Sequence, residues 1–411
     1  MKYGLIGEKL GHSFSKTVHS KIADYDYELL EIAKTDLDAF MQKRDFCGIN
    51  VTIPYKQAVI PYLDYISDEA QKIGAVNTVV NKNGKLYGYN TDFFGLKSLI
   101  EKNDIEIFGK TVLVLGSGGT SKTANAVCKK LGAKQIFTVS RGGGEGLITY
   151  EEAYTKSAQI IINTTPCGMY PKTDEQPIKL DGFKELEAVI DVIYNPLKTK
   201  LIIDAQSRGI KSVGGLYMLY AQALKAAEIF CDNEIKTDAF NEILKEKQNL
   251  VLIGMPSSGK TTLGKLLSKD FKKEFIDTDL EIVKKAGMEI PEIFEKYGED
   301  YFRNLESEVI KELSLKQSLV IATGGGSVLR RENIEALNQN GKIVFIDRPL
   351  EMLITTNDRP LSSSREALEK RYYERYSIYC FSSDVRINAD GDINTNLERV
   401  KEGFLNENFS N

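Results

Sequence analysis

Two glycine-rich stretches in this 411-residue chain have residue types and spacing that hold phosphate. Gly116-Ser-Gly-Gly-Thr-Ser-Lys122 follows the apolar run Thr111-Val-Leu-Val-Leu115, and Gly254-Met-Pro-Ser-Ser-Gly-Lys-Thr261 follows Asn249-Leu-Val-Leu-Ile253. A strand, a glycine turn and a helix N-terminus form an anion site, because unpaired backbone N–H groups and the helix dipole converge there. The first loop suits the pyrophosphate of a dinucleotide. The second is a complete P-loop, in which Lys260 reaches the β- and γ-phosphates and the Thr261 hydroxyl takes Mg²⁺. The spacings differ, so the loops are not copies of each other, and the chain reads as one redox and one phosphoryl-transfer enzyme joined end to end.

Other side chains suit the same two chemistries. Arg141 follows the strand after the first loop, where an acid would bind the ribose of NAD; an arginine there suits the 2′-phosphate of NADP, against the alternative of a solvated arginine. Lys56, in Asn50-Val-Thr-Ile-Pro-Tyr-Lys56, reads by itself as a surface lysine after a proline turn, and only a family likeness would pair it with Asp92, in Tyr89-Asn-Thr-Asp92, for ketone reduction. An ammonium can stabilise a developing alkoxide and give it a proton, and a neighbouring carboxylate orients the ammonium and keeps it charged. Beyond the P-loop, Phe275-Ile-Asp-Thr-Asp279 puts two carboxylates at what reads as a strand end, with side chains expected to alternate.

The elements that must position these residues are short strands alternating with helices. Lys2–Ile6, Gly48–Ile53, Val76–Val80 and Leu86–Tyr89 read as strands, the last two linked by a turn at Asn83-Gly84. Thr111–Leu115, Gln135–Val139, Ile160–Asn163 and Ala188–Val192 repeat with helical stretches, as in a doubly wound parallel sheet. The expected fold class is α/β throughout: an α/β substrate domain, a Rossmann-like doubly wound NADP domain, then a P-loop kinase domain with a parallel sheet. The expected boundaries are 1–103, completed by a helix over 216–240; 104–215; a linker at 241–248, which has neither proline nor glycine and can equally extend the preceding helix; and 249–411, with a lid at about 359–372.

Composition fits this picture. Apolar residues make up 42% and charged residues 27%, with a net charge of -4, which argues against a nucleic-acid partner. Two histidines leave little room for a histidine metal site, and five scattered cysteines read as reduced thiols of a cytoplasmic protein. No apolar run approaches the roughly 18–20 residues that span a bilayer. Oligomeric state is not readable.

Over roughly residues 1–240, the chain resembles shikimate dehydrogenase. Gly11-His-Ser-Phe-Ser15, Asn50–Lys56, Gly74-Ala-Val-Asn-Thr78, Tyr89–Asp92 and Gly215-Leu-Tyr-Met-Leu-Tyr-Ala-Gln222 carry the likeness, in the family's order. The resemblance implies that Ser13 and Ser15, with Tyr194 nearby, bind the substrate carboxylate. It implies that Thr52, Asn77, Asp92 and Gln222 bind ring oxygens, and that Lys56 and Asp92 are the catalytic pair. Implied NADP(H) contacts are Gly116, Gly118, Gly119, Thr120, Arg141, the Asn163-Thr-Thr-Pro segment, Val192 and Gly215. Two departures stand out: Lys16 in place of a proline after the second serine, and Gly142-Gly-Gly-Glu145 where a second cation is often found.

Residues from about 249 to 390 resemble shikimate kinase through the P-loop, Phe275–Asp279, Tyr301-Phe-Arg-Asn-Leu-Glu306, Ala322-Thr-Gly-Gly-Gly-Ser327 and Asp358-Arg-Pro-Leu361. By that likeness, ATP meets Gly254, Ser257, Ser258, Gly259, Lys260, Thr261 and Thr262, and Mg²⁺ meets Thr261 and Asp277. Asp279 takes the attacking hydroxyl, and Arg303 and Arg375 clamp the substrate carboxylate. Gly324, Gly325 and Gly326 let backbone approach the ring, and Arg359 neutralises the moving phosphoryl group from a lid. The lid is short and serine-rich (Ser362-Ser-Ser364), and Leu353-Ile-Thr-Thr356 stands where the family often has an arginine.

The two likenesses imply consecutive steps: NADPH reduces 3-dehydroshikimate to shikimate, and ATP converts shikimate to shikimate 3-phosphate. Two alternatives remain open at this point. One is a quinate-using dehydrogenase fused to a kinase for another polyol; in the other, one half is a degenerate regulatory module.

Overall fold

Short apolar runs become strands, the central ones buried on both faces and the edge ones partly exposed, and three sheets result. The computed structural model describes residues 2–11, 14–354 and 364–406. They divide into two compact units, 1–195 with 204–243, and 196–203 with 244–411.

The first unit holds two six-stranded sheets. In the first sheet, β1 (Tyr3–Gly7), β2 (Tyr27–Glu31) and β3 (Gly48–Val51) run parallel. β4 (Tyr65–Ile66), β5 (Thr78–Lys82) and β6 (Lys85–Tyr89) complete the order β2-β1-β3-β5-β6-β4, with β5 antiparallel to both β3 and β6. Asn83 and Gly84 both have positive φ in the β5–β6 turn, the geometry that a two-residue hairpin needs. Ile6, Met41, Ile49, Val79 and Leu86 form the centre of this core.

The second sheet comprises β7 (Thr111–Leu115), β8 (Gln135–Val139), β9 (Leu147–Ile148), β10 (Ile160–Asn163), β11 (Ala188–Asp191) and β12 (Lys211–Val213). All its pairings are parallel, in the order β12-β11-β10-β7-β8-β9. Strands β7, β8 and β10 span the runs read from the sequence, and β11 stops one residue earlier. Helix Thr91–Lys102 packs on helix Leu216–Cys231, and Gly95 permits the approach: a Cβ there would lie 2.6 Å from the Met218 carbonyl oxygen.

The second unit is one parallel sheet: β13 (Asn249–Ile253), β14 (Glu274–Asp277), β15 (Leu319–Ala322), β16 (Gly341–Asp347) and β17 (Val385–Asn388), ordered β14-β15-β13-β16-β17. Val251, Ile253, Ile321, Ile343 and Phe345 centre one of its cores. Helix Ile290–Ser314 is broken at Gly298 (φ 81, ψ 174).

Several expectations are corrected. The helix expected over 216–240 is two helices, Leu216–Cys231 and Ala239–Lys247, separated where Asp232 turns left-handed (φ 52). The stretch expected as a linker is therefore helical through Lys247, and the division between units falls within that helix, after Ile243. Pro196–Ile203, expected inside the NADP domain, groups with the second unit. Of the expected lid, residues 365–372 are the start of helix Arg365–Ser382.

His19 tests the first core. It is 1% exposed, stacks on Tyr27 (3.9 Å, 8°), and its Nδ1 lies 2.6 Å from the Tyr25 hydroxyl. Burial pushes its imidazole down from 6.5 to about 3. Between those values, the unfolded chain binds a proton that the native state does not, so stability falls as pH falls, by roughly 5 kcal/mol at the limit. The acid limb of Tm against pH should be shallower in His19→Gln than in the native protein. Parallel limbs would contradict the assignment.

Candidate active sites

In the first unit, a cavity of about 380 Å³ opens among the ends of β1, β3 and β5 and three helices. Ser15, Thr52, Lys56, Asn77, Asp92, Tyr194 and Gln222 all line it. Ser13 lies outside the described residues. The polar positions come from element ends: Ser15 starts helix Ser15–Ile22, Asp92 sits in the first turn of Thr91–Lys102, and Gln222 projects from Leu216–Cys231. Asn90 caps the middle helix by accepting from the Phe93 N–H at 3.2 Å. Gly95, one turn beyond Asp92, would place a Cβ 3.0 Å from that of Gln222, so its bareness lets the two helices bring Asp92 and Gln222 to one cavity.

Lys56 Nζ lies 2.5 Å from Asp92 Oδ2, a charge-assisted contact with both side chains largely buried. Asn77 Oδ1 accepts from the Thr91 N–H at 2.7 Å and from the hydroxyls of Thr91 and Thr78, each at 3.2 Å. Gln222 Oε1 is buried without a hydrogen-bond partner. A buried acceptor left bare costs about 1–3 kcal/mol, so it marks a position for a ligand donor. The sequence reading quoted Asn50 and Thr91 inside motifs without giving them a role. Both line the cavity, and Asn50 Nδ2 donates to Thr78 Oγ1 at 3.0 Å. The signal available was their place beside assigned residues.

The first glycine loop leaves β7 as expected. Gly116 has φ 108, and a Cβ on Gly118 or Gly119 would meet nothing within 4 Å, leaving room over the N-terminus of helix Gly119–Lys130. Thr120 is in that helix's first turn. The Thr164 hydroxyl donates to the Leu115 carbonyl at 2.6 Å, joining the ends of β7 and β10 beside the loop. Gly215 packs on the Val192 carbonyl with no room for a side chain, so these two positions are adjacent. Arg141 is exposed just past β8, where a turn begins at Ser140.

A cavity of about 640 Å³ in the second unit is lined by Thr261, Asp277, Asp279, Arg303, Gly324, Gly325, Gly326 and Arg375, together with Lys265 and Glu306. Gly254 (φ 145), Ser257 (φ 63) and Gly259 (φ 96) shape the P-loop, and Ser258 is buried within it. Thr262 is exposed in the first helical turn. Lys260 Nζ donates to the carbonyls of Gly254 (2.9 Å) and Met255 (2.8 Å). The Thr261 hydroxyl donates to Asp277 Oδ2 at 2.8 Å. Arg303 meets Glu306 at 2.7 Å, and Arg375 donates to the Gly325 carbonyl at 3.1 Å. Arg359 lies outside the described residues.

The strand-end picture of the two acids is corrected. β14 ends at Asp277, which caps helix Thr278–Ala286 by accepting from the Asp279 N–H at 3.1 Å; Asp279 is helical. Helix geometry, not strand alternation, sets their directions. Glu306 received no role from sequence, although Arg303-x-x-Glu306 is a helical i,i+3 pairing. The three glycines serve packing as well as access. A Cβ would meet Asp279 Oδ1 (2.6 Å) from Gly324 and Pro256 Cδ (2.7 Å) from Gly325; from Gly326 it would fall on the Arg303 guanidinium.

The family model for the shikimate dehydrogenase substrate binding domain matches residues 5–79. The shikimate dehydrogenase (NADP(+)) of Clostridium beijerinckii is 42% identical over 245 residues, 56% of this chain and 91% of that protein. The chain belongs to the shikimate dehydrogenase family. The corresponding enzyme of Clostridium perfringens strain 13 is 39% identical over 259 residues, 58% of this chain and 95% of its own length. Among solved structures, shikimate dehydrogenase 1 from Peptoclostridium difficile has a TM-score of 0.54 at 38% identity, over 59% of this chain and 96% of that one. A chorismate mutase/shikimate 5-dehydrogenase fusion protein from Clostridium acetobutylicum reaches 0.56 at 38% identity, over 59% and 94%. The shikimate kinase family model matches residues 256–403, so this dehydrogenase carries a kinase domain behind it. No helix among the described residues is long and apolar enough to cross a membrane.

Gly326→Ala tests the second cavity. Its methyl group must displace the Arg303 fork, so kcat/KM for a carboxylate-bearing acceptor should fall about tenfold or more with the fold retained. An unchanged value would show that the fork plays no part in binding the acceptor.

Proposed function

We propose that the chain is a bifunctional enzyme of the shikimate pathway, reducing 3-dehydroshikimate to shikimate with NADPH and phosphorylating shikimate with ATP. The observation that carries this reading is the Lys56–Asp92 pair in the cavity where Gln222 Oε1 has no partner. That cavity offers aimed polar groups for a hydroxylated ring, with a proton donor oriented by a carboxylate beside them.

In the first reaction, Ser13, Ser15 and Tyr194 hold the carboxylate, while Thr52, Asn77, Asp92 and Gln222 hold ring oxygens. NADPH, when bound over the Gly116–Thr120 loop against Val192 and Gly215, supplies the hydride. Lys56 gives a proton to the oxygen that becomes the new hydroxyl, is left neutral and regains a proton from water, and Asp92 keeps it oriented. Arg141 pairs with the 2′-phosphate.

In the second reaction, Gly254, Ser257, Ser258, Gly259, Lys260, Thr261 and Thr262 cradle ATP, and Arg359 neutralises charge on the transferred group. The hydroxyl of Thr261 and the carboxylate of Asp277 suit Mg²⁺, which takes one or two protein oxygens alongside phosphate and water. Asp279 accepts the proton of the attacking hydroxyl, and Arg303 and Arg375 hold the carboxylate near Gly324, Gly325 and Gly326. The five free cysteines fit a reducing, cytoplasmic setting.

Purified protein given 3-dehydroshikimate, NADPH and ATP–Mg²⁺ should consume NADPH and release ADP in separately measurable steps. Quinate in place of shikimate should support neither NADP⁺ reduction nor ADP release at comparable rates. Absence of both activities with shikimate would end the proposal. Lys56→Ala should lower ketone reduction by about a hundredfold or more while leaving ADP release from added shikimate unaffected. Arg141→Ala should raise KM for NADPH about tenfold and barely move that for NADH; equal shifts would remove the 2′-phosphate contact.

A further inference from the structure

The carboxylate end of the second cavity is framed by two residues that are not among those lining it, Glu299 and Arg330. Arg303 Nε and Nη2 donate to Glu299 Oε1 at 3.3 and 3.1 Å, and Nη1 donates to Glu306 Oε2 at 2.7 Å. A guanidinium has five N–H donors, so these bonds leave one hydrogen on Nη1 and one on Nη2. One free hydrogen on each terminal nitrogen is the number that a carboxylate needs for two charge-assisted bonds. Gly326 abuts the terminal nitrogens of the same guanidinium.

The main chain of Arg303 is held as well. Arg330 Nη1 donates to the Arg303 carbonyl at 3.0 Å and to Ser307 Oγ at 3.1 Å, and Nη2 donates to Asn304 Oδ1 at 2.9 Å. Arg330 directly follows the turn Ser327–Leu329, which begins after Gly326. One short segment therefore carries both the glycine abutting the guanidinium and the arginine gripping the helix that bears it. The helix leaves helical φ/ψ at Gly298, so Arg303 stands about one turn past a kink, where a grip from a neighbouring segment adds a fixed point.

We propose that Glu299 and Arg330 are positioning residues for the carboxylate fork of Arg303, fixing its side chain and its backbone from outside the cavity. This deepens the kinase reading above and rests on it. Both side chains are partly exposed, 49% for Glu299 and 29% for Arg330, so substitution leaves the core intact.

ADP release is measured with shikimate and with its methyl ester for the native protein, Glu299→Gln, Arg330→Gln, Arg330→Lys, and the first two combined with Arg303→Lys. Glu299→Gln and Arg330→Gln should each raise KM for shikimate about five- to tenfold, with kcat and KM for ATP within about twofold. The ester, which lacks the charge, should be little affected, so the preference for acid over ester shrinks. Arg330→Lys should not rescue, because a point charge cannot reproduce a fork that reaches three acceptors. Added to Arg303→Lys, neither change should cost more, since both act through the same guanidinium. Unmoved KM values, equal losses with acid and ester, or losses additive with Arg303→Lys would each overturn the inference while the native protein still phosphorylates shikimate. A native protein that releases no ADP with shikimate overturns the kinase reading and this inference with it.

Discussion

A parallel strand covered on both faces has only its ends left for chemistry. Val251, Leu252 and Ile253 of β13 are all 0% exposed, as are Val112, Val114 and Leu115 of β7. Nothing polar can stand along such strands without losing water, so function is pushed to the carboxyl edge, where the chain must turn into a helix. Both glycine loops sit at that edge, where turn and helix N-terminus provide unpaired N–H groups. The phosphate sites are thus what remains when two well-buried sheets have used up the rest of their surface.

Close approach is the second recurring device. Gly95 lets two helices meet so that Asp92 and Gln222 face one cavity, and Gly326 lets backbone lie on the Arg303 guanidinium. In each case the missing Cβ is met by protein atoms rather than by ligand. A glycine that reads as room for substrate is also a packing requirement, and losing it would misplace the charged or amide group beside it.

Much of this was legible in the sequence, and the parts that were not share a cause. The strands of the second sheet were visible because each is a short apolar run between polar turns, and the P-loop because its spacing leaves few alternatives. Asp279 was placed on a strand because Asp277 and Asp279 sit two apart, the strand period; the Asp277 cap, which starts a helix between them, depends on a hydrogen bond that spacing does not encode. The helix expected over 216–240 looked continuous because nothing in 232–238 forbids helix. The break comes from a left-handed Asp232, a conformation open to Asp but not signalled by it. Glu306 pairs with Arg303 on its own helix, but its bond to Ser327, like that of Arg330 to the Arg303 carbonyl, lies across the fold and is not encoded in spacing.

Asn77 and Gln222 face the first cavity with opposite polarity. The oxygen of Asn77 is already saturated by Thr78 and Thr91, so its amide cannot flip and can only give hydrogen bonds to a guest. The bare oxygen of Gln222 can only receive one. A hydroxyl satisfies either, because its single proton rotates while its lone pairs remain. A methyl ether keeps the lone pairs and loses the proton, and a deoxy carbon loses both. An oxygen facing Gln222 must therefore still carry its hydrogen to pair, whereas one facing Asn77 need only keep a lone pair.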